Sequence, residues 1–364
     1  MSMFKMKKNV LAVLVSLLLC ITLIGCGGTE LEETSAGSST QGNAGKGGSE
    51  STKQEGEKIS ADRKVNWPDN IQFPSGSVGG GFYQVAGVLA KELEPALNIP
   101  ISVMPSGGTG ENLNLMEKGE VQMAIAGANV FYPAYTGTLQ YEGKPKYSNF
   151  RLVAKLYNNP TLFYALKNSG ITSIPELKGK RIGVGASPAA WDHLTGPILE
   201  AHGVSYDKDV EKVYVGFGDS ATQIGDGLLD ATISTVGMPA IKQIASQKEL
   251  SYLMLEETAI DNLAKQYPFF SKITVNGADL PGYQGGKYVT LDVGGPYLIV
   301  HKDMPDELVY EVSKALYDNI KKMSESLIDL TAAGENPNLL ATPIGDIPFH
   351  PGAEKFWKEK NLLQ

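Results

Sequence analysis

The sequence predicts an α/β fold of two similar lobes, each a parallel or mixed sheet with helices packed against it. Three observations carry this expectation. From Ile71 onward short apolar runs alternate with amphipathic stretches, the alternation falls into two matching series, and the strand-to-helix junctions of both series are small and polar. The size allows it, since 364 residues, 42% hydrophobic and 20% charged, suffice for two ordinary domains with substantial cores.

The chain begins with Lys5, Lys7 and Lys8, followed by an apolar run from Val10 to Ile24 broken only by Ser16, Cys20 and Thr22. This is the charged head and hydrophobic stretch of a secretory signal, too short and wrongly flanked for a spanning helix. Leu23-Ile24-Gly25-Cys26 resembles a bacterial lipobox, which implies a signal peptide over residues 1–25 and a lipid on Cys26, an ordinary secretory signal cleaved nearby being the alternative. The mature protein would then be extracytoplasmic, anchored to the outer face of the cytoplasmic membrane. Cys20 would leave with the signal, so no internal disulfide is expected. Residues 26–66 are Gly, Ser, Thr, Gln, Glu and Lys with little apolar surface, as expected of a disordered linker. As a flexible coil of about forty residues it would reach roughly 35 Å.

In the first series, Ile71-Gln72-Phe73 is a strand, and a Gly-rich loop leads to a helix with Phe82, Val85, Ala86, Leu89 and Leu93 on one face, stopped at Pro95. A second strand covers Ile101 to Met104. Thr109 is placed to cap a short helix that Gly119 closes. Val121, Met123 and Ile125 alternate in a third strand, and Phe150 to Asn159 reads as a crossing. In the second series, Ser173 and Glu176 have capping-box spacing, and Lys180 to Gly185 is a strand. Ser187-Pro188 opens a helix with Trp191, Leu194 and Ile198 on one face. Val210 to Val215 is the next strand, Asp219 or Ser220 caps the next helix, and Ala231 to Ser234 is a strand. A last strand around Val289 to Val300 and a helix from Pro305 to Met323 follow. The divisions expected are 67–155 for the first part of lobe 1, 156–255 for lobe 2, and 256–364 returning to lobe 1 and packing across both.

In such sheets ligands sit beyond the carboxyl ends of strands, where helix starts offer unpaired N–H groups. The junctions in question are Gly76 to Gly81, Ser106 to Thr109, Gly127-Ala128-Asn129, Gly185-Ala186-Ser187 and Thr235-Val236-Gly237. They suit an anionic or polar small molecule held between two sets of loops, although glycine at any one of them could serve turn geometry alone. No catalytic constellation is present: no phosphate loop, no nucleophile elbow, and no metal-ligand spacing among His193, His202, His301 and His350. Neither catalytic residues, a metal nor a cofactor is therefore expected. A net charge of -8 argues against nucleic acid as a partner. Tyr132, Tyr135 and Tyr141 read first as core packing and second as a ligand wall.

These loops resemble those of the solute receptors of TRAP transporters, in particular the TAXI subgroup, over most of residues 71–364. The likeness rests on Gly79-Gly80-Gly81-Phe82-Tyr83, Gly108 to Leu113, Ile125-Ala126 through Tyr135-Thr136-Gly137, Leu177 to Gly185, Val236 to Pro239, and Pro348-Phe349-His350-Pro351-Gly352-Ala353. It implies a two-lobed periplasmic-binding-protein-like fold of type II, with central sheets flanked by helices and a ligand cleft between lobes. The implied activity is capture of an organic acid or amino acid and its delivery to an ion-gradient-driven TRAP permease, by a protein that is not an enzyme and is expected to be a monomer. A sensor subunit or a surface enzyme on the same scaffold is the alternative. The ligand-binding positions expected are Ser77, Val78, Gly79, Gly80, Tyr83, Thr109, Asn112, Asn129, Ala186, Ser187, Trp191, Thr235 and Met238. Several depart from the family pattern. Val78 stands where Thr or Ser is usual, Gly127-Ala128-Asn129 where Gln-Ser-Asp is common, and Trp191 enters a stretch usually rich in small residues. A carboxylate held by main-chain N–H groups, with Trp191 or Tyr83 against its apolar part, is the expected mode.

Overall fold

The computed structural model describes residues 66–185 and 188–363, without the side chains of residues 188–190. The predicted signal, Cys26, the linker up to residue 65, Ala186 and Ser187 lie outside the described residues. The rest is a mixed α/β protein with sheets flanked by helices.

The first half opens with β1 (Ile71–Pro74), parallel to β2 (Ile101–Met104), the two joined by α1 (Gly81–Leu97). Val85, Ala86, Leu89, Leu93 and Leu97 form its buried face. Pro95 does not stop this helix. It lies in the last turn, and Asn98, at a left-handed φ of 53°, ends it instead. Burial of Leu97, which continues the face of Leu89 and Leu93 by one more turn, outweighs the one backbone hydrogen bond that proline cannot donate.

There follow α2 (Thr109–Glu117), β3 (Met123–Gly127) and α3 (Ala128–Thr136). All five residues of β3 are buried, so the expected alternation is absent. A strand covered on both faces has no solvent side to mark with polar residues. The segment expected to cross between halves is mostly β4 (Phe150–Lys155), and the crossing itself begins only at Leu156.

The second half holds β5 (Thr161–Leu166), β6 (Lys180–Gly183), β7 (Val210–Val213), β8 (Ala231–Thr235) and β9 (Leu250–Leu253) in the order β7-β6-β8-β5-β9. Here β6 runs parallel to β7 and β8, while β5 is antiparallel to β8 and β9. Around it lie α4 (Pro188–Ala201), α5 (Phe217–Gly225), α6 (Pro239–Ala245) and α7 (Glu257–Gln266). The Ser173–Glu176 capping box is formed. Asp219 and Ser220, in contrast, lie inside the first turn of α5, whose N-cap is Gly216.

Arg181 in β6 and Asp230 before β8 make a forked ion pair, with Nη2 to Oδ1 at 2.9 Å and Nε to Oδ2 at 3.1 Å. Hydrogen bonding from Arg181 holds the Asp230 carboxyl below its ordinary range. A lowered acid stabilises fully above the unfolded value near pH 4 and stops doing so as pH falls through the folded one. Asp230→Asn is expected to cost about 1 kcal/mol or less at pH 7, since Arg181 is partly solvated. Thermal melts should show the gap between wild type and variant narrowing as pH falls below the unfolded value near 4; an equal gap at pH 7 and in acid would contradict the ion-pair account.

The single strand expected around Val289 to Val300 is two. β11 (Lys287–Asp292) pairs with β10 (Ser271–Asn276), and β12 (Pro296–His301) inserts between β3 and β4, antiparallel to both. The break falls at Gly294, whose φ of 91° only glycine adopts freely. The chain then forms α8 (Asp306–Ser326), α9 (Thr331–Glu335) and α10 (Pro351–Glu359).

Residues 156–160 and 292–296 are the two passages between halves, and they are bound together. Val293 N donates to Asn159 O at 3.1 Å, Leu156 N to Pro296 O at 2.9 Å, and Asn159 N to the Asp292 carboxylate at 2.8 Å. Asp292 also pairs with Lys155 at 2.5 Å, both side chains being buried. The Pro348–Ala353 stretch runs alongside β4, where His350 N donates to Leu152 O at 2.9 Å. His350 caps α10 by accepting from Gly352 N at 3.3 Å, and its burial lowers its pKa.

Candidate functional site

Three helices of the first half begin around Gly127. A Cβ placed on Gly127 would lie 2.8 Å from Asn129 Oδ1, 3.6 Å from Thr109 Oγ1 and 3.8 Å from Phe82 Cζ. Those residues belong to the first turns of α3, α2 and α1, so the fold gathers three of the small polar junctions at one end of its strands. The N-caps are Gly80, Gly108 and Gly127, and no side chain caps any of the three. A helix start without a side-chain cap keeps orphan N–H groups for solvent or a ligand.

The individual residues differ in what they are free to do. Ser77, Val78 and Gly79 are exposed and Tyr83 is half-buried, while Gly80 N donates to Ser77 O at 2.9 Å. Thr109 does not cap its own helix; its Oγ1 accepts from Gly127 N at 2.9 Å. Asn112 is fully buried, and its amide donates to Ser75 O at 2.9 Å and Ile125 O at 2.8 Å, tying α2 to the ends of β1 and β3. Asn129 remains half-buried beside Gly127.

In the second half, a Cβ on Gly185 would overlap the Trp191 indole, which meets Phe217 edge-on at 4.8 Å. Thr235 is buried and the next residue, Val236, donates to Pro160 O at 2.8 Å, so this loop is fastened to a passage between halves. Met238 is half-buried at the N-cap of α6. Among the described residues no hydrogen bond links the Trp191 group to the Thr235 group.

Three residues not expected among the ligand-binding positions stand at the start of α1. Phe82 is one. Asp329, in the 3-10 turn Ile328–Leu330, and Tyr157, in the first passage, are the others: a Cβ on Gly81 would lie 3.7 Å from Asp329 Oδ2 and 3.7 Å from the Tyr157 hydroxyl. Burial raises the pKa of the Asp329 carboxyl. Burial, and then the Asp329 charge, raises that of the Tyr157 phenol. No local signal marks Asp329, which is about 250 residues from the loop it meets.

Other clusters have structural partners. Asp192 accepts from the hydroxyls of Tyr206 at 2.6 Å and Tyr214 at 3.0 Å, while burial lowers the pKa of its neighbour His193. Tyr135 packs on Phe150, Tyr141 on Tyr147 and Tyr132 on Phe269. A recess of about 330 Å³ between Trp67, Gln122, His301 and Pro305 shares no residue with the helix starts. Among the described residues no three His, Cys, Asp or Glu side chains could hold a metal, and no helix is long and apolar enough to cross a membrane.

Sheets flanked by helices, two passages between halves and uncapped helix starts at strand ends place the protein in the mixed α/β class. The chain belongs to the NMT1-like family, whose profile matches residues 73–360. Solved structures similar to it include PhnD1 from Prochlorococcus marinus in complex with methylphosphonate, at 12% identity and a TM-score of 0.47, covering 81% of this chain and 100% of that one. The periplasmic aliphatic sulphonate binding protein SsuA from Escherichia coli aligns at 13% identity and 0.44, covering 82% and 94%. Substrate binding domain 2 of Lactococcus lactis GlnP aligns at 12% and 0.40, covering 76% and 97%. At that distance none of them assigns a ligand or a partner to this chain.

Proposed function

We propose that the protein is an extracytoplasmic solute receptor that captures a small organic acid or amino acid between its halves and passes it to a membrane permease, without chemical conversion. The observation carrying this reading is the meeting of three uncapped helix starts around Gly127, a ready-made set of N–H donors. Lipid attachment at Cys26 would hold the receptor at the membrane. Delivery to a TRAP permease rests on the TAXI-like motifs alone. Closure would follow from a ligand that gains additional contacts when both halves touch it.

A thermal-shift screen of the mature protein against dicarboxylates, oxoacids, amino acids, phosphonates and sulphonates tests the reading. A ligand at 100 times its Kd should add about 2.7 kcal/mol of stability. Silence across every class, or turnover of the compound that binds, would count against a receptor. Co-purification with the large subunit of a TRAP permease tests the recipient; capture with an ABC-type permease instead would replace it.

A further inference from the structure

The segments that meet at the start of α1 bring a carboxylate and a phenol to one point. Asp329 Oδ2 and the Tyr157 hydroxyl flank the Cβ position of Gly81, each at 3.7 Å. Among the described residues the Asp329 carboxylate has no hydrogen bond and no ion pair, and the Tyr157 hydroxyl has no hydrogen bond. Asp329 is half-buried, so it has given up part of its hydration without gaining a cation.

A ligand that is purely anionic would share the start of α1 with a chain carboxylate, and like charges a few ångströms apart disfavour one another. A ligand carrying a positive nitrogen reverses the sign. We infer that Asp329, with the Tyr157 hydroxyl beside it, is the specificity-determining group of this site and selects ligands that bear an aliphatic ammonium group. The inference rests on the reading of the α1 start as part of the solute site. The ammonium could belong to an amino acid, its carboxylate on the N–H groups of the helix starts, or to a simple amine. A residue that only balanced the positive end of α1 would affect melting temperature and not the choice between ligands.

Calorimetric titration of the mature protein with the common amino acids, followed by the 2-oxo acid and the decarboxylated amine of each binder, tests the assignment. Wild type should prefer the ammonium compound over its 2-oxo acid by about 10- to 100-fold, the worth of one charge-assisted hydrogen bond. Asp329→Asn should abolish that preference, Asp329→Glu should restore part of it, and Tyr157→Phe should weaken it by a smaller factor. Equal binding of the amine and the amino acid identifies an amine site, whereas a requirement for the carboxylate identifies an amino acid; both agree with the inference. It is overturned if a nitrogen-free carboxylate binds as well as its amino acid, or if Asp329→Asn keeps the preference. In those cases the receptor reading stands. Absence of binding by every solute class removes both.

Discussion

Asp292→Ala is expected to lower stability by about 3–5 kcal/mol, because it leaves the Lys155 ammonium buried with no counter-ion. Lys155 is 6% exposed and Asp292 is 0% exposed, so water cannot replace the lost partner. The substitution also deprives the Asn159 N–H of its acceptor at 2.8 Å. Replacing both members, as in Lys155→Met with Asp292→Leu, should recover much of the loss, since a well-packed apolar pair avoids the desolvation that two charges suffer. Urea denaturation of the single and double variants forms the thermodynamic cycle. A single-variant cost below about 1 kcal/mol would contradict the claim that this pair fastens the passages.

A comparable loss, about 3–5 kcal/mol, is expected for Trp357→Ala. Trp357 is fully buried beneath β4, meets Phe356 at 5.0 Å, and donates from its indole to Val153 O at 2.8 Å. Alanine leaves a cavity there and an unmet carbonyl. Trp357→Phe keeps much of the volume and should lose about 1–3 kcal/mol, chiefly the desolvated Val153 oxygen. The same urea melts decide it; similar costs for the two variants would show that packing volume matters little at this position.

Much of this architecture was legible because periodicity and caps are local. The face of α1 through Leu93, the strand Ile101–Met104 and the Ser173–Glu176 box could all be read from neighbouring residues. The misreadings came where distant partners decide. Thr109 was free to cap its own helix in sequence, but Gly127 N takes its hydroxyl. Val289 to Val300 looked like one apolar strand, yet its two parts pair with different partners, and Gly294 permits the turn between them. The helix-start cluster was foreseeable as a set of Gly-rich junctions, whereas the Asp329 and Tyr157 pair exists only because a turn near the C-terminus folds back on the first loop.

The placement of β12 has a further consequence, for the order in which the molecule can be assembled. The middle strand of the first sheet is supplied by residues 296–301, so β3 and β4 have nothing to pair with until most of the polypeptide has been made. Pairings between residues so far apart in sequence form slowly. The sheet that holds β3 and β4 is thus completed late in synthesis, and a truncation upstream of Pro296 is expected to leave it unzipped rather than to give a smaller working protein.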